Sequence, residues 1–207
     1  RVWWARNVYK RQVIRIFYDL TFLVLWQIIQ KCMEQKMSLS SSEPIVRDAT
    51  PGDIDAMTRI YSWHVLHGCG SFEETPPDAT EMAARHQKVC SFELPWLVAE
   101  IDGQVVGYCY ATQYRPRPAY RFTVEDSVYI DAEMGGRGIG SALLAALIVR
   151  CQQGPYRQML AIIGNGERNA GSLNLHKKMG FEIVGNFRAV GFKHGEWRDT
   201  LLMQRAL

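Results

Sequence analysis

Apolar positions from residue 44 onward fall into two alternating spacings. Ile45–Arg47 (IVR) is a short apolar run that predicts a strand. Thr50 then stands as an N-cap with Pro51 at the first helical position, and Ile54, Met57, Ile60 and Tyr61 recur at helical spacing. This predicts an amphipathic helix ending before the Gly68–Gly70 loop. Pro76, Pro77 and Asp78 start a second helix that runs to about Val89.

PWLVAEIDGQVVGYCYATQY holds two β-rich runs around Asp102-Gly103, the dipeptide a tight two-residue hairpin prefers, so two antiparallel strands are expected. Tyr114–Tyr120 (YRPRPAY) reads as a loop because Pro116 and Pro118 cannot donate to a ladder. FTVEDSVYI is a further strand, and Gly138–Cys151 reads as a helix. The remainder alternates again: strand Gln158–Ile163, helix Ala170–Met179 closed by Gly180, strand Phe181–Val184, and a last strand near Asp199–Gln204. The pattern predicts an α/β (α+β) domain, a mixed sheet with helices on both faces.

Composition sharpens the boundaries. The 207 residues carry 24 Lys and Arg against 21 Asp and Glu, with 47% hydrophobic residues, ordinary for a globular chain and unlike a disordered or fibrous one. Residues 1–37 hold seven of the basic and two of the acidic residues, so the remainder is slightly acidic. That balance gives no reason to expect nucleic acid as a partner. The apolar run Leu20–Ile29 is half the length that spans a bilayer, and no small-x-small cleavage pattern follows it. An amphipathic membrane-surface helix is a further reading of this stretch. VYKRQ (8–12) looks like translated library-adapter sequence, and Met37 before a Ser-rich stretch reads as a natural start. Residues 1–37 are therefore expected to be a non-domain leader of non-native origin, 38–44 a linker, and 45–207 the domain, with no membrane association. Five widely spaced cysteines, none in CxxC, predict neither zinc nor disulfides, and a cytoplasmic location.

The densest chemical signal is SVYIDAEMGGRGIGSALLAALI, a strand, a Gly-rich turn and a helix in succession. Unpaired N–H groups and the positive end of a helix dipole favour an anion there, and glycines allow close backbone approach. A Walker A loop needs Lys after Gly140, which is absent, and a Rossmann turn needs a different glycine spacing. A Gly-rich turn without any ligand is the plain alternative.

VYI, GGRGIGS and ERNAGSLNLHKKMGF together resemble the acetyl-CoA-dependent N-acetyltransferases of the GNAT superfamily. More narrowly, PWLVAE (95–100), AYRFTVEDSVYI (119–130), AIIG (161–164) and FRAVGFKHGEWRD (187–199) resemble its phosphinothricin and methionine sulfone acetyltransferase branch. The resemblance implies the GNAT fold, acetyl-CoA as co-substrate, no metal, a homodimer, and a small amino-acid-like amine as acceptor.

Residue roles follow from the same resemblance. Val128, Tyr129 and Ile130 would offer backbone groups to the pantetheine arm. Gly135, Gly136, Arg137, Gly138, Ile139, Gly140 and Ser141 would cradle the pyrophosphate. Gly135 stands where the family has Gln or Arg, and Arg137 would compensate. Asn169 matches a cofactor-contacting Asn, with Ser172 as a second contact or cap. Glu125 occupies the position of the family's base, with Asp126 beside it. Strand alternation lets only one of the two face the cleft, and Glu125 is preferred. His176 stands where many members carry a Tyr acid, and either protonates or orients the thiolate or is a packing or capping residue. Acceptor contacts are expected from Phe72, Glu73, Tyr114, Arg117, Tyr120, Arg121 and His194, with Arg117 as carboxylate anchor.

The expected function is acetylation, by direct attack, of the α-amine of a phosphinothricin, methionine sulfoximine or methionine sulfone type acceptor. Acetylation of a protein N-terminus or another amine, and a non-catalytic acyl-CoA-binding module, are the alternatives.

Overall fold

The computed structural model describes residues 26–28, 30–31 and 43–207. Residues 26–28 and 30–31 are helical; the expectations for the rest of 1–37 and for most of 38–44 lie outside the described residues. The unit Pro44–Leu207 is described by itself below.

Its strands are β1 (Ile45–Asp48), β2 (Trp96–Ile101), β3 (Gln104–Gln113), β4 (Thr123–Ile130), β5 (Gln158–Gly164), β6 (Glu182–Lys193) and β7 (Glu196–Ala206). The helices are α1 (Ile54–His67), α2 (Ala79–Ser91), α3 (Ile139–Gln152) and α4 (Ala170–Lys178). One sheet runs β1-β2-β3-β4-β5-β7-β6, and its only parallel pair is β4 with β5.

Strand parity assigns the helices to opposite faces. Cys109 and Ala111 of β3 lie opposite Val128 and Asp126 of β4, and the Cys109 thiol meets the Leu143 carbonyl of α3. Tyr108 and Tyr110 lie opposite Tyr129 and Ser127, and the Tyr129 ring packs on Tyr61 of α1 with centroids 4.8 Å apart. Each helix buries one stripe: Met57, Ile60, Tyr61 and Val65 on α1; Ile139, Leu143, Leu144 and Leu147 on α3. Removing these stripes from water is the main force holding helices to sheet.

The β2–β3 hairpin turns on Asp102 (φ 51°) and Gly103 (φ 78°), both left-handed as a two-residue primed turn requires. Asp78 caps α2 by accepting from the Glu81 N–H at 2.8 Å.

Two expectations need correction. Pro51 opens a 3-10 turn, Pro51–Asp53, and α1 begins at Ile54. Thr50 is the N-cap of that turn, as expected, and its N–H and hydroxyl both donate to Asp53, whose carboxylate Arg47 also grips in bidentate fashion. The last two strands, 12 and 11 residues, are far longer than their apolar cores suggested, because His194 (φ 52°) and Gly195 (φ 75°) form a second primed two-residue turn that joins them. β6 is an edge strand with a bulge between Phe187 and Gly191, so exposure hides its alternation.

Candidate active site

β4 and β5 pair only from Thr123↔Gln158 to Asp126↔Ala161. Beyond that register they part, and alternate backbone groups of Ser127–Ile130 and Ile162–Gly164 lose a ladder partner. A cleft of about 1030 Å³ opens at this point, lined by both strand ends, the turn before α3, the start of α4 and the loop after α1. That volume suits a small-molecule site. Val128, Tyr129 and Ile130 all border it. The Ile130 carbonyl already accepts from His64 Nε2 at 2.7 Å, and burial lowers the His64 pKa, so this imidazole is a neutral donor at neutral pH.

The turn into α3 is built to stay open. Gly136 (φ 77°) and Gly138 (φ 80°) are left-handed, and a methyl at Gly135, Gly136 or Gly138 would meet nothing within 4 Å. The first N–H groups of α3 have no intrahelical acceptor, and Ile139, Gly140 and Ser141, which carry them, line the cleft. Arg137 is exposed and does not line the cleft, unlike its neighbours. Sequence reading missed Lys178, which lines the cleft from the end of α4 and donates to Ser141 Oγ at 3.5 Å. Its signal was the helical run LHKK, which brings the last turn of α4 beside the start of α3.

Asn169 joins β5 to α4: its Nδ2 donates to the Gly164 carbonyl at 3.3 Å, and its Oδ1 accepts from the Ser172 N–H at 3.4 Å. Asn169 and Ser172 both border the cleft.

Glu125 and Asp126 point to opposite faces of β4, as alternation requires, yet both border the cleft because the parted strands open it through the sheet. Glu125 lies on the α1 side. Burial, with the neighbouring Asp126 charge adding to it, raises its pKa to about 7. Asp126 lies on the α4 side and is almost wholly buried, its Oδ2 accepting from His176 Nε2 at 2.9 Å. Its Oδ1 has no protein partner. His176 Nδ1 donates to the Ser172 carbonyl at 2.7 Å, so both ring nitrogens are engaged as donors and neither is left for another group. Burial lowers the His176 pKa, but the Asp126 hydrogen bond and charge outweigh it and the net shift is upward.

The expected acceptor residues divide. Phe72 borders the cleft, about 38% exposed. Glu73 does not, because Arg85 takes both its carboxylate oxygens (2.8 and 3.2 Å) and the Tyr61 hydroxyl donates to one at 2.9 Å. Tyr114, Arg117, Tyr120 and Arg121 lie apart in the β3–β4 loop, outside the cleft lining, with Tyr114 half-buried and the other three exposed. Tyr114 and Tyr120 meet edge to face at 5.5 Å with Arg115 over both rings. Arg121 donates to the Pro118 carbonyl and covers Phe122. The Arg117 guanidinium makes no ion pair among the described residues. His194 also lies outside, bonding the Gly68 carbonyl at 3.3 Å from the β6–β7 turn. Among the described residues no cluster could hold a metal ion, and no helix is long and apolar enough to cross a membrane.

Comparison with known proteins supplies the chemical context. A family model described as an acetyltransferase (GNAT) domain matches residues 46–202. A phosphinothricin N-acetyltransferase of Alcaligenes faecalis is 55% identical over 163 residues, 79% of this chain and 81% of that protein. An L-methionine sulfoximine/L-methionine sulfone acetyltransferase of Pseudomonas paraeruginosa is 38% identical, over 77% of this chain and 92% of that protein. Among solved structures, a phosphinothricin acetyltransferase from Sinorhizobium meliloti in complex with AcCoA superposes with a TM-score of 0.78 at 46% identity, covering 80% and 89% of the two chains.

Proposed function

Because the chain belongs to the GNAT acetyltransferases, we propose that it acetylates the α-amine of a phosphinothricin or methionine sulfoximine/sulfone type acceptor with acetyl-CoA. The observation that carries the reading is Glu125: a half-buried carboxylate whose pKa is raised to about 7, at the edge of a cleft whose far end is an open Gly-rich helix start.

The residues fit acetyl-CoA. The N–H groups at the start of α3, with Lys178 beside them, would hold the pyrophosphate. Ser127–Ile130 leave backbone groups free of β5 for an extended arm laid along β4. Bound there, acetyl-CoA supplies an activated thioester.

Glu125 acts as general base. Its pKa, raised to about 7, suits proton exchange near neutral pH, and in its ionised form it removes a proton from the acceptor ammonium directly or through a water. The freed lone pair forms the C–N bond at the thioester carbonyl carbon, and the C–S bond breaks with its electron pair leaving on sulfur. The second nitrogen proton is released as the amide forms, and the thiolate takes up a proton. No acyl-enzyme is invoked: Cys109 and Cys151 are buried, with thiol pKa values raised by burial, and the Cys69 thiol, which borders the cleft, has no hydrogen-bonded His among the described residues to activate it. In this reading Asp126 and His176 act on each other, and Arg117 anchors the acceptor carboxylate from the β3–β4 loop.

Thiol release from acetyl-CoA, scanned over phosphinothricin, methionine sulfoximine, methionine sulfone and decarboxylated analogues, tests this. Turnover of the carboxylated acceptors by wild type, lost in Glu125→Gln, is expected; acetyl-CoA binding without thiol release on any amine would overturn it.

A further inference from the structure

Of the side chains expected to shape the acceptor pocket, Phe72 is the one that lines the cleft, and it is mounted from a strand far away in sequence. Gly191 of β6 has an ordinary extended backbone, so no left-handed φ demands glycine there. Space does: a Cβ at Gly191 would lie 2.3 Å from Cε2 of the Phe72 ring and 2.6 Å from Cδ2. The ring rests on bare β6 backbone. Two residues on, on the same inward face of the strand, Lys193 is 2% exposed and its Nζ donates to the Ser71 carbonyl at 2.6 Å. Next to it, His194 Nε2 donates to the Gly68 carbonyl. From the opposite side Tyr61 of α1 bonds Ser71 Oγ at 2.9 Å and, with Arg85 of α2, holds Glu73. The loop 68–73 is thus fixed at both flanks, and the one large side chain it turns to the cleft has its position set by a missing Cβ.

We propose that Gly191 and Lys193 are specificity-determining positioning residues: Gly191 is the seat that holds the Phe72 ring back from the acceptor end of the cleft, and Lys193 clamps the loop that carries it. This rests on the acceptor assignment made above. A ring on a rigid seat selects acceptors by side-chain bulk, because a methyl under it must push the ring toward the acceptor or the loop off its clamp.

The experiment is a double-mutant cycle of Gly191→Ala with Phe72→Leu, read as KM for phosphinothricin and for acetyl-CoA. Gly191→Ala should raise the acceptor KM on the order of tenfold, with acetyl-CoA KM within about twofold. Adding Phe72→Leu should return the acceptor KM to that of Phe72→Leu alone. Lys193→Met should move the acceptor KM in the same direction. Additive effects in the cycle, or acceptor and acetyl-CoA constants rising together, would overturn the proposal. Where Gly191→Ala alone fails to fold, the double variant should fold; its failure too would contradict the seat. Wild type inactive on every amine refutes the acceptor assignment instead, and the seat is then read from amide exchange of residues 69–73. That exchange should quicken in Gly191→Ala and recover in the double variant, and unchanged exchange contradicts the seat.

Discussion

His176 of α4 donates its Nε2 proton to Asp126 of β4 at 2.9 Å, on the sheet face opposite the one that carries Glu125. Asp126 is the last β4 residue paired with β5, so the bond fixes α4 to the point where the two strands part. Both residues also border the cleft. Removing one partner of a buried ion pair strands the other without compensation.

Asp126→Asn and His176→Gln should each lose about 3 kcal/mol or more of stability. They should also raise the acetyl-CoA KM more than the acceptor KM. The His176 contribution has a pH signature. Its folded pKa lies above the ordinary 6.5, so its stabilisation is complete below that value and fades as pH rises through the folded one. The gap in denaturant midpoint between wild type and His176→Gln should narrow across that range.

Glu125 has a pH signature of its own. With a folded pKa of about 7 against an ordinary 4.5, it favours the folded state below 4.5 and loses that advantage as pH rises through 7. Glu125→Gln should then be more stable than wild type at pH 8, by up to about 3 kcal/mol, relative to the difference at pH 4. Urea midpoints at the two pH values check this.

Lys178→Ala should raise the acetyl-CoA KM several-fold and flatten its salt dependence, leaving the acceptor KM unchanged. Arg137→Ala should do less, because Arg137 stands outside the cleft lining. Titration at low and high salt separates the two.

Arg117→Ala should weaken carboxylated acceptors on the order of tenfold and spare decarboxylated analogues, since a charge-assisted bond is lost only where a carboxylate is present. Equal loss on both classes would remove Arg117 from the site.

Local signals carried much of the fold. Asp102-Gly103 marked the β2–β3 hairpin, and Asp78 the start of α2, because caps and primed turns are chosen by the residues that form them. His194-Gly195 makes the same kind of turn without that dipeptide, and the β6–β7 hairpin around it was read as two short strands. The glycine turn of the site was equally local. Contacts between distant segments were not: Asp126 meets His176 fifty residues away, and Gly191 meets the Phe72 ring across most of the length of the domain. Neither leaves a periodic mark in the sequence. Glu73 and His194 were read as pocket residues for the same reason, since only the fold shows that Arg85 and the Gly68 carbonyl already occupy them.

The central claim is that Glu125 deprotonates the acceptor, and the pH dependence of kcat/KM for phosphinothricin tests it most directly. Wild type should lose activity below an apparent pKa near 7. In Glu125→Gln that limb should vanish, leaving a residual rate at least about a hundredfold lower that follows ionisation of the acceptor amine alone. A Glu125→Gln enzyme that keeps the wild-type limb and rate would contradict the assignment.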